Sequence, residues 1–274
     1  MLPDRPDLAG LGRTWPDLAR PARPARPVRR AKRAGGRPFC RHILKNEAFM
    51  DDSARLRDIL QRLPQGTVWR PVRDASGALL AEGSGLGEDG LSDYLPGVSF
   101  AGKTVCDLGC NLGYFSFMAA RGGAARVTGF DVDPLVVEGA TLLAAMQGYG
   151  NVRFQVADFT SQPPEETFDL VLLVDFIGRG TIVKGRLDAA LDAAAAYCRE
   201  RMVFTLRPVY PLADLTGGDA RSLAARYGDD VVHDGRFHLL DYAAQRLADF
   251  TPSLLTPPGD PARRFKHAVL FSKI

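Results

Sequence analysis

The residues best suited to chemistry follow a short apolar run. Residues 104–108 read TVCDL, and a turn carrying Gly109 and Gly113 comes directly after them. An apolar run bounded by glycines is typical of a buried strand, and a strand, a glycine turn and a helix direct several backbone N–H groups to one place. Asp107 adds a carboxylate there, and the spacing Asp-x-Gly-x-x-x-Gly differs from that of dinucleotide binders. A carboxylate at this position suits a cationic ligand.

A second acid follows the next predicted strand, residues 127–130. Asp131 lies 18 residues beyond Gly113, and an acid at this distance from such a turn can accept hydrogen bonds from both hydroxyls of a ribose. Asp133 is the alternative acceptor. It is also placed to cap a helix whose first residue is Pro134.

Residues 105–117, VCDLGCNLGYFSF, resemble the first motif of the class I S-adenosylmethionine-dependent methyltransferases. The resemblance implies that the glycine turn holds the amino-acid moiety of S-adenosylmethionine and that Asp131 holds its ribose, with Asp133 second. For the turn itself it nominates Asp107, Gly109, Asn111, Leu112 and Gly113.

The same resemblance assigns residues after the third and fourth strands. It implies that Asp158 and Phe159 bind the adenine, and that Asp175 lies in the loop that faces the transferred methyl group. Asp175 could contact the cofactor or act as a base. His233 and His238 are the other candidates for a base, should the acceptor need to lose a proton. No metal site is expected.

The elements that would position these residues alternate along residues 102–274. We expect an α/β fold with a doubly wound, mostly parallel sheet of seven strands and an N-terminal accessory segment. The sequence predicts a helix at 49–63, strands at 67–72 and 78–81, an alanine-rich helix at 183–198 and a long connection at 207–235. The resemblance implies a final antiparallel hairpin.

The predicted division of the chain is a basic arm at 1–41, an accessory segment at 42–101 and a cofactor-binding domain at 102–274. In the family, segments ahead of the first strand commonly cover the site and select the substrate. The candidates for this role here are Trp69, Arg70, Arg73 and Tyr94.

Residues 1–41 carry ten arginines and one lysine against three aspartates, a net charge of +8, so that the remaining chain has −5 of the total +3. They also contain seven of the nineteen prolines. Such a composition is typical of a disordered arm. The arm could bind RNA phosphates, but a dispensable leader, with Met50 as the true start, is the preferred interpretation.

The composition excludes several classes. A hydrophobic content of 46% is enough for a core, and no apolar run approaches the roughly 20 residues that span a bilayer, so no membrane association is expected. The four cysteines, Cys40, Cys106, Cys110 and Cys198, lack zinc-site spacing. With no signal-peptide pattern in the first forty residues, a cytoplasmic protein is expected.

The sequence therefore predicts transfer of a methyl group from S-adenosylmethionine to a small-molecule acceptor. Two alternatives stay open: a tRNA wobble-uridine-modifying transferase that uses a derivative of the cofactor, and a non-catalytic cofactor-binding module associated with RNA. The identity of the acceptor, the atom methylated and the oligomeric state stay open as well.

Overall fold

The computed structural model describes residues 51–85, 95, 97–215, 217–255 and 266–274. The predicted arm at 1–41, the lid candidate Tyr94 and the connection at 256–264 lie outside the described residues.

The described helices are, in chain order, α1 (Asp52–Arg62), α2 (Tyr114–Arg121), α3 (Pro134–Met146), α4 (Arg179–Val183), α5 (Leu187–Tyr197), α6 (Ala220–Tyr227) and α7 (Leu239–Arg246). The described strands are β1 (Val72–Arg73), β2 (Leu79–Ala81), β3 (Thr104–Leu108), β4 (Arg126–Asp131), β5 (Val152–Val156), β6 (Phe168–Leu173), β7 (Cys198–Leu206), β8 (Tyr210–Pro211), β9 (Val232–His233), β10 (Arg236–Phe237), β11 (Phe250–Leu254) and β12 (His267–Lys273).

Seven strands form one sheet in the order β11-β12-β7-β6-β3-β4-β5. The strands from β7 to β5 in this order pair in parallel, whereas β12 is antiparallel to both β7 and β11. The predicted fold class, a doubly wound and mostly parallel seven-stranded sheet, is confirmed. The order reverses at β3, which has β4 on one side and β6 on the other, and a crevice for ligands forms at such a point.

Apolar residues cover both faces of the sheet. Phe168, Phe204 and Phe271 are fully buried on the face that α5 and α7 cover. On the other face, α2 packs against β3 and β4, and α1 packs on α3. Because strands buried on both faces have no polar side to expose, β3 and β6 read as continuous apolar runs in the sequence.

The start of α3 shows why the crevice side of the sheet is well defined. The Asp133 carboxylate accepts hydrogen bonds from the backbone N–H groups of Leu135 at 2.9 Å and Val136 at 3.4 Å, and Pro134 occupies the first turn. This cap satisfies N–H groups that have no partner within the helix. It fixes the direction in which the chain leaves β4.

Three predicted elements differ from the structure. The helix predicted at 183–198 is shorter at both ends. Val183 ends α4, Gly185 follows with a positive φ of 66°, α5 begins only at Leu187, and Cys198 already belongs to β7. Of the strand predicted at 67–72, only its last residue is paired, in the hairpin of β1 and β2. The connection at 207–235 contains α6 and contributes β8 and β9 to a small antiparallel sheet of order β8-β10-β9.

Within the described ranges, no helix has the length and apolar character needed to cross a membrane. Nor do three or more His, Cys, Asp or Glu side chains of these ranges converge as a group that could hold a metal ion.

Candidate functional site

Two adjoining cavities open where β3, β4 and β6 end. The smaller has a volume of about 250 Å³ and lies beside Asp131, at the end of β4. The larger, of about 420 Å³, extends along α2 under the β1–β2 hairpin. The residues that line both are Trp69, Gly109, Asn111 and Val174. The two cavities are therefore neighbours at this point of the crevice.

The turn after β3 brings backbone to the wall of both cavities. The N–H groups of Gly109 and Cys110 donate to the Phe130 carbonyl at 2.8 and 3.0 Å, which fixes the turn to β4. Gly109 has a φ of +73°, and a Cβ there would lie 2.8 Å from Cδ2 of Phe176. Glycine is thus required both by the backbone conformation and by the ring beside it.

Asp131 lies at the centre of the smaller cavity wall. Its Oδ2 accepts a hydrogen bond from the Asn111 N–H at 3.0 Å, and its Oδ1 accepts one from the Asp133 N–H at 3.1 Å. These bonds fix the carboxylate while each oxygen keeps a lone pair for a further donor. The side chain is half-buried and lines the smaller cavity.

Asp107 is behind the turn rather than in either cavity. Its side chain is buried, and its Oδ2 accepts a hydrogen bond from Ser116 Oγ of α2 at 2.6 Å. Burial raises the pKa of Asp107 to about 6, although the Ser116 hydrogen bond acts in the opposite direction. This carboxylate joins β3 to α2, and its predicted contact with the cofactor stays a prediction.

Asp175, in the loop after β6, is surrounded by donors. Its carboxylate forms ion pairs with Arg70 and, at 2.8 Å, with Lys266, and it accepts a hydrogen bond from Trp69 Nε1 at 3.2 Å. Burial acts to raise the pKa of Asp175, but Lys266 and Arg70 outweigh it and hold the pKa below its ordinary value. A carboxylate held in this way is a weak base. Its geometry favours a positioning role over the predicted proton transfer.

The backbone of Asp175 is also unusual. Its φ is +58°, and its N–H donates to Thr205 Oγ1 of β7 at 2.7 Å. A non-glycine residue in the left-handed region is uncommon, and aspartate tolerates it better than most residues. The loop therefore directs this carboxylate into the crevice, toward Arg70.

Residues 67–74, which we call the covering segment, are fastened across the glycine turn. Asn111 Oδ1 accepts a hydrogen bond from the Trp69 N–H at 3.2 Å, and Asn111 Nδ2 donates to the Thr67 carbonyl at 2.8 Å. Ser84 and Gly85 bind the segment from its other edge, through the carbonyls of Val68 and Trp69. One asparagine thus joins the turn to the chain that covers it.

The other residues nominated for the cofactor divide into two groups. Phe159 is buried, lines the smaller cavity and packs on Phe176 with the ring centroids 5.2 Å apart. Leu112 lines only the larger cavity. Three residues line neither cavity and have local roles that the structure shows: Gly113 begins α2, Asp133 caps α3, and Asp158 accepts from Thr160.

His233 and His238 lie in and beside the small sheet. Their rings stack with centroids 4.3 Å apart, and neither lines the two cavities. His233 Nδ1 is 3.0 Å from Asp234 Oδ2, and His238 Nδ1 is 3.7 Å from Asp241 Oδ2. The structure does not bring them to Asp175, so their role as a base stays a prediction without a geometric argument.

Sequence reasoning missed Lys266, Val132 and Phe176. Val132 follows Asp131 and Phe176 follows Asp175, so a search of both neighbours of each strand-end acid would have found these two. Lys266 gives no such signal, because it reaches Asp175 only through the antiparallel pairing of β12 with β7. Trp69 and Arg70, proposed as lid candidates, do lie over the crevice.

Residues 99–226 match a family model described as a methyltransferase domain. The chain is therefore similar to that family over a little less than half of its length. The resemblance to class I methyltransferases that residues 105–117 carry is thereby confirmed. The match begins ahead of β3 and ends in α6, so it includes the glycine turn and the loop after β6. The strands β11 and β12 and the covering segment lie outside it.

The curated relatives that match are similar over part of their length. A ribosomal protein L11 methyltransferase of Edwardsiella ictaluri is 31% identical over 112 residues, 38% of this chain and 38% of its own. One of Alteromonas mediterranea is 31% identical over 139 residues, 51% of this chain and 42% of its own. The chain thus spans about two fifths of the length of these relatives.

Solved structures are similar at lower identity. Magnesium protoporphyrin IX methyltransferase from Synechocystis PCC 6803, solved with bound SAH, is 20% identical, with a TM-score of 0.44 over 64% of this chain and 75% of that one. The N-methyltransferase NodS from Bradyrhizobium japonicum WM9 is 17% identical, with a TM-score of 0.42 over 67% and 91%.

Proposed function

We propose that the protein transfers a methyl group from S-adenosylmethionine to a small-molecule acceptor. The observation that carries the proposal is the position of Asp131: its half-buried carboxylate, held by the Asn111 and Asp133 N–H groups, lines a cavity that has four lining residues in common with a second one. Methyl transfer needs two ligands in contact. Two adjacent cavities with lining residues in common can hold one ligand each.

The residues of the smaller cavity fit the cofactor in three respects. The free lone pairs of Asp131 suit the two hydroxyls of a ribose. Val132 and Phe159 present apolar surface on which an adenine ring can pack. Gly109 leaves the backbone open where a side chain would block the approach of an amino-acid moiety.

When bound, the cofactor supplies a methyl group that its sulfonium already activates. The residues of the chain have mainly to position the two ligands and to cover the cavities that hold them. Asp131 and the glycine turn orient one ligand against the shared wall. Trp69 covers both cavities, and Arg70 and Asp175 lie beneath it as a buried pair. Excluding water from this place favours a step in which a cation is discharged.

We assign the covering role to the accessory segment, whose described part is residues 51–85, and the cofactor to residues 102–274. The hydrogen bonds from Asn111 to Thr67 and Trp69 support this division, because they hold the accessory segment on the cofactor turn. A small acceptor also agrees with a covering segment that is fastened down. The larger cavity lies under this segment and under the hairpin that continues it.

A protein acceptor is the second candidate, because the curated relatives are ribosomal protein L11 methyltransferases by name. The two candidates separate in one experiment with the full chain and radiolabelled S-adenosylmethionine. Ribosomal protein L11 and a size-filtered extract of small metabolites are offered in parallel. Label in the small-molecule fraction supports the proposal, and label on L11 alone overturns its acceptor. Failure to bind S-adenosylmethionine or S-adenosylhomocysteine in calorimetry would contradict the activity itself.

A further inference from the structure

The larger cavity differs from the smaller one in its charged side chains. Among the described residues, its lining includes three arginines, Arg70, Arg73 and Arg121, and a single acid, Asp74. Three of these charges have partners nearby. Arg70 pairs with Asp175, and Arg73 Nη1 donates to the Gly77 carbonyl at 3.0 Å. The Asp74 carboxylate accepts hydrogen bonds in its own turn, from the N–H and hydroxyl of Ser76 and the N–H of Ala78.

Arg121, the last residue of α2, is the lining arginine best placed to bind an anionic ligand. Its side chain is exposed at one end of the cavity, and its Nη1 donates to the Tyr149 hydroxyl, a neutral acceptor, at 3.4 Å. Within the part of the chain that the structure describes, it forms no ion pair with a carboxylate. A planar guanidinium in this position can hold a carboxylate through two hydrogen bonds.

Aromatic rings lie between Arg121 and the shared wall. On α2, Phe117 is three residues and Arg121 seven residues after Tyr114, so the three side chains lie on one face of the helix. Tyr114 packs edge-on against Phe115 at 5.2 Å, and Phe117 stacks on Tyr149 at 5.1 Å. The rise of an α-helix places Arg121 roughly 10 Å along the axis from Tyr114.

We infer that the larger cavity binds an aromatic acid about 10 Å long, with its carboxylate at Arg121 and its methyl-accepting end at the wall formed by Gly109, Asn111 and Val174. This inference rests on the proposed function, because it names the acceptor class for the same site. The flat rings of Tyr114 and Tyr149 suit an aromatic body. The guanidinium selects an anion over its neutral counterpart.

The test uses calorimetry on the full chain saturated with S-adenosylhomocysteine. The probes are 4-hydroxycinnamate and its neutral match, 4-hydroxycinnamamide, which have nearly the same shape. The variants are Arg121→Gln and a matched control, Arg221→Gln, which removes an exposed arginine of α6 that lines neither cavity. The affinity for S-adenosylhomocysteine is measured in all three proteins.

We expect the acid to bind about tenfold more tightly than the amide. Arg121→Gln should weaken the acid by about tenfold and leave the amide unchanged, since an exposed charge-assisted pair contributes at the lower end of the usual range. Arg221→Gln should behave as wild type.

Three results overturn the inference: equal affinities for acid and amide, an Arg121→Gln protein that binds the acid as wild type does, or no binding of either probe by a protein that binds S-adenosylhomocysteine. If the wild-type protein does not bind S-adenosylhomocysteine, that result would instead contradict the proposed function.

Discussion

Arg70 and Asp175 form an ion pair across 105 positions of the sequence, and their side chains are only 5% and 6% exposed. Lys266 joins them from the start of the last described strand. One carboxylate therefore holds three separate parts of the chain: the covering segment, the loop after β6 and the residue that precedes β12. The pair connects the cover of the crevice to the sheet that forms its floor.

We predict that Asp175→Asn lowers the free energy of unfolding by about 3–5 kcal/mol, because it leaves Arg70 and Lys266 without their buried counter-charge. Asp192→Asn is the matched control: its partner, Arg246, is 40% exposed, and its loss should cost less than about 1 kcal/mol. Urea unfolding at neutral pH measures both. Equal losses in the two variants would show that the buried pair has no special weight.

The same pair predicts a pH dependence. The folded state holds the pKa of Asp175 below the unfolded value, so the stabilisation is present above the unfolded pKa and is lost as the pH falls through the folded pKa. The difference in unfolding free energy between wild type and Asp175→Asn should shrink once the pH drops below about 4. A difference that is constant from pH 7 down to acid unfolding would contradict this.

Replacing Asp131 should reduce the affinity for the cofactor. Asp131→Ala removes charge-assisted hydrogen bonds to the ribose of roughly 1.5–3 kcal/mol, about ten- to a hundredfold in affinity, and Asp131→Asn should fall between wild type and Ala. Asp133→Ala is the control. It removes the α3 cap, costs about 1 kcal/mol of stability and leaves affinity unchanged. Calorimetry with S-adenosylhomocysteine measures the affinities, and a reversed pattern would assign the ribose to Asp133.

Asp107 should destabilise the fold as the pH rises. Its pKa in the folded state is raised to about 6, so its favourable contribution is complete below the unfolded pKa near 3.8 and is lost as the pH rises through 6. Asp107→Asn escapes this loss and should gain stability relative to wild type, by up to about 3 kcal/mol, between pH 4 and pH 7. Ser116→Ala removes a donor and should raise the pKa of Asp107 further. A carbon-detected NMR titration of the Asp107 carboxyl group measures its pKa in wild type and in Ser116→Ala. A pKa near 3.8 in wild type would contradict this prediction.

Substitution of the two glycines of the turn by alanine should affect different properties of the protein. A Cβ on Gly113, at φ +84°, would lie 2.6 Å from Cζ of Phe154, which packs against the core, so Gly113→Ala should cost about 2–4 kcal/mol of stability. On Gly109 the Cβ meets Phe176, which lines the smaller cavity, and Gly109→Ala should mainly weaken cofactor binding.

Gly148→Ala is the control for both glycine variants. Gly148 has a φ of +75° with nothing within 4 Å of an added Cβ, so only the backbone cost of about 1–2 kcal/mol applies. Thermal unfolding and calorimetry on the three variants separate the effects. If Gly109→Ala lost stability to the same extent as Gly113→Ala while its affinity stayed unchanged, the two roles would be exchanged.

The sequence predicts the elements whose signals are local. The bounds of β3 agree with the prediction, and those of β4 and α1 lie within three residues of it, because apolar runs, glycines and helical spacing define these elements. The strands β8, β9 and β10 are two residues long, too short for a periodic pattern. The predicted helix start at residue 183 is four residues early, because the sequence does not reveal the positive φ that Gly185 adopts between α4 and α5.

The site shows the same limit. Asp131, Gly109 and Phe159 are found from their positions after strands, and the structure places all three on the smaller cavity. The sequence also identifies Asp175, but it does not predict that the pKa of its carboxyl group is lowered. Its partners Arg70 and Lys266 come from distant segments, so the low pKa that weakens it as a base depends on tertiary structure alone.

The position of β12 has a consequence for synthesis of the chain on the ribosome. Of the seven strands of the sheet it is made last, yet it lies inside the sheet, between β7 and β11. While residues 267–273 are still unmade, β11 has no neighbour in the sheet and β7 exposes an open edge of unpaired backbone groups. Lys266 is made with the same stretch, so the chain completes its sheet and gives Asp175 its second cationic partner, beside Arg70, in one late event.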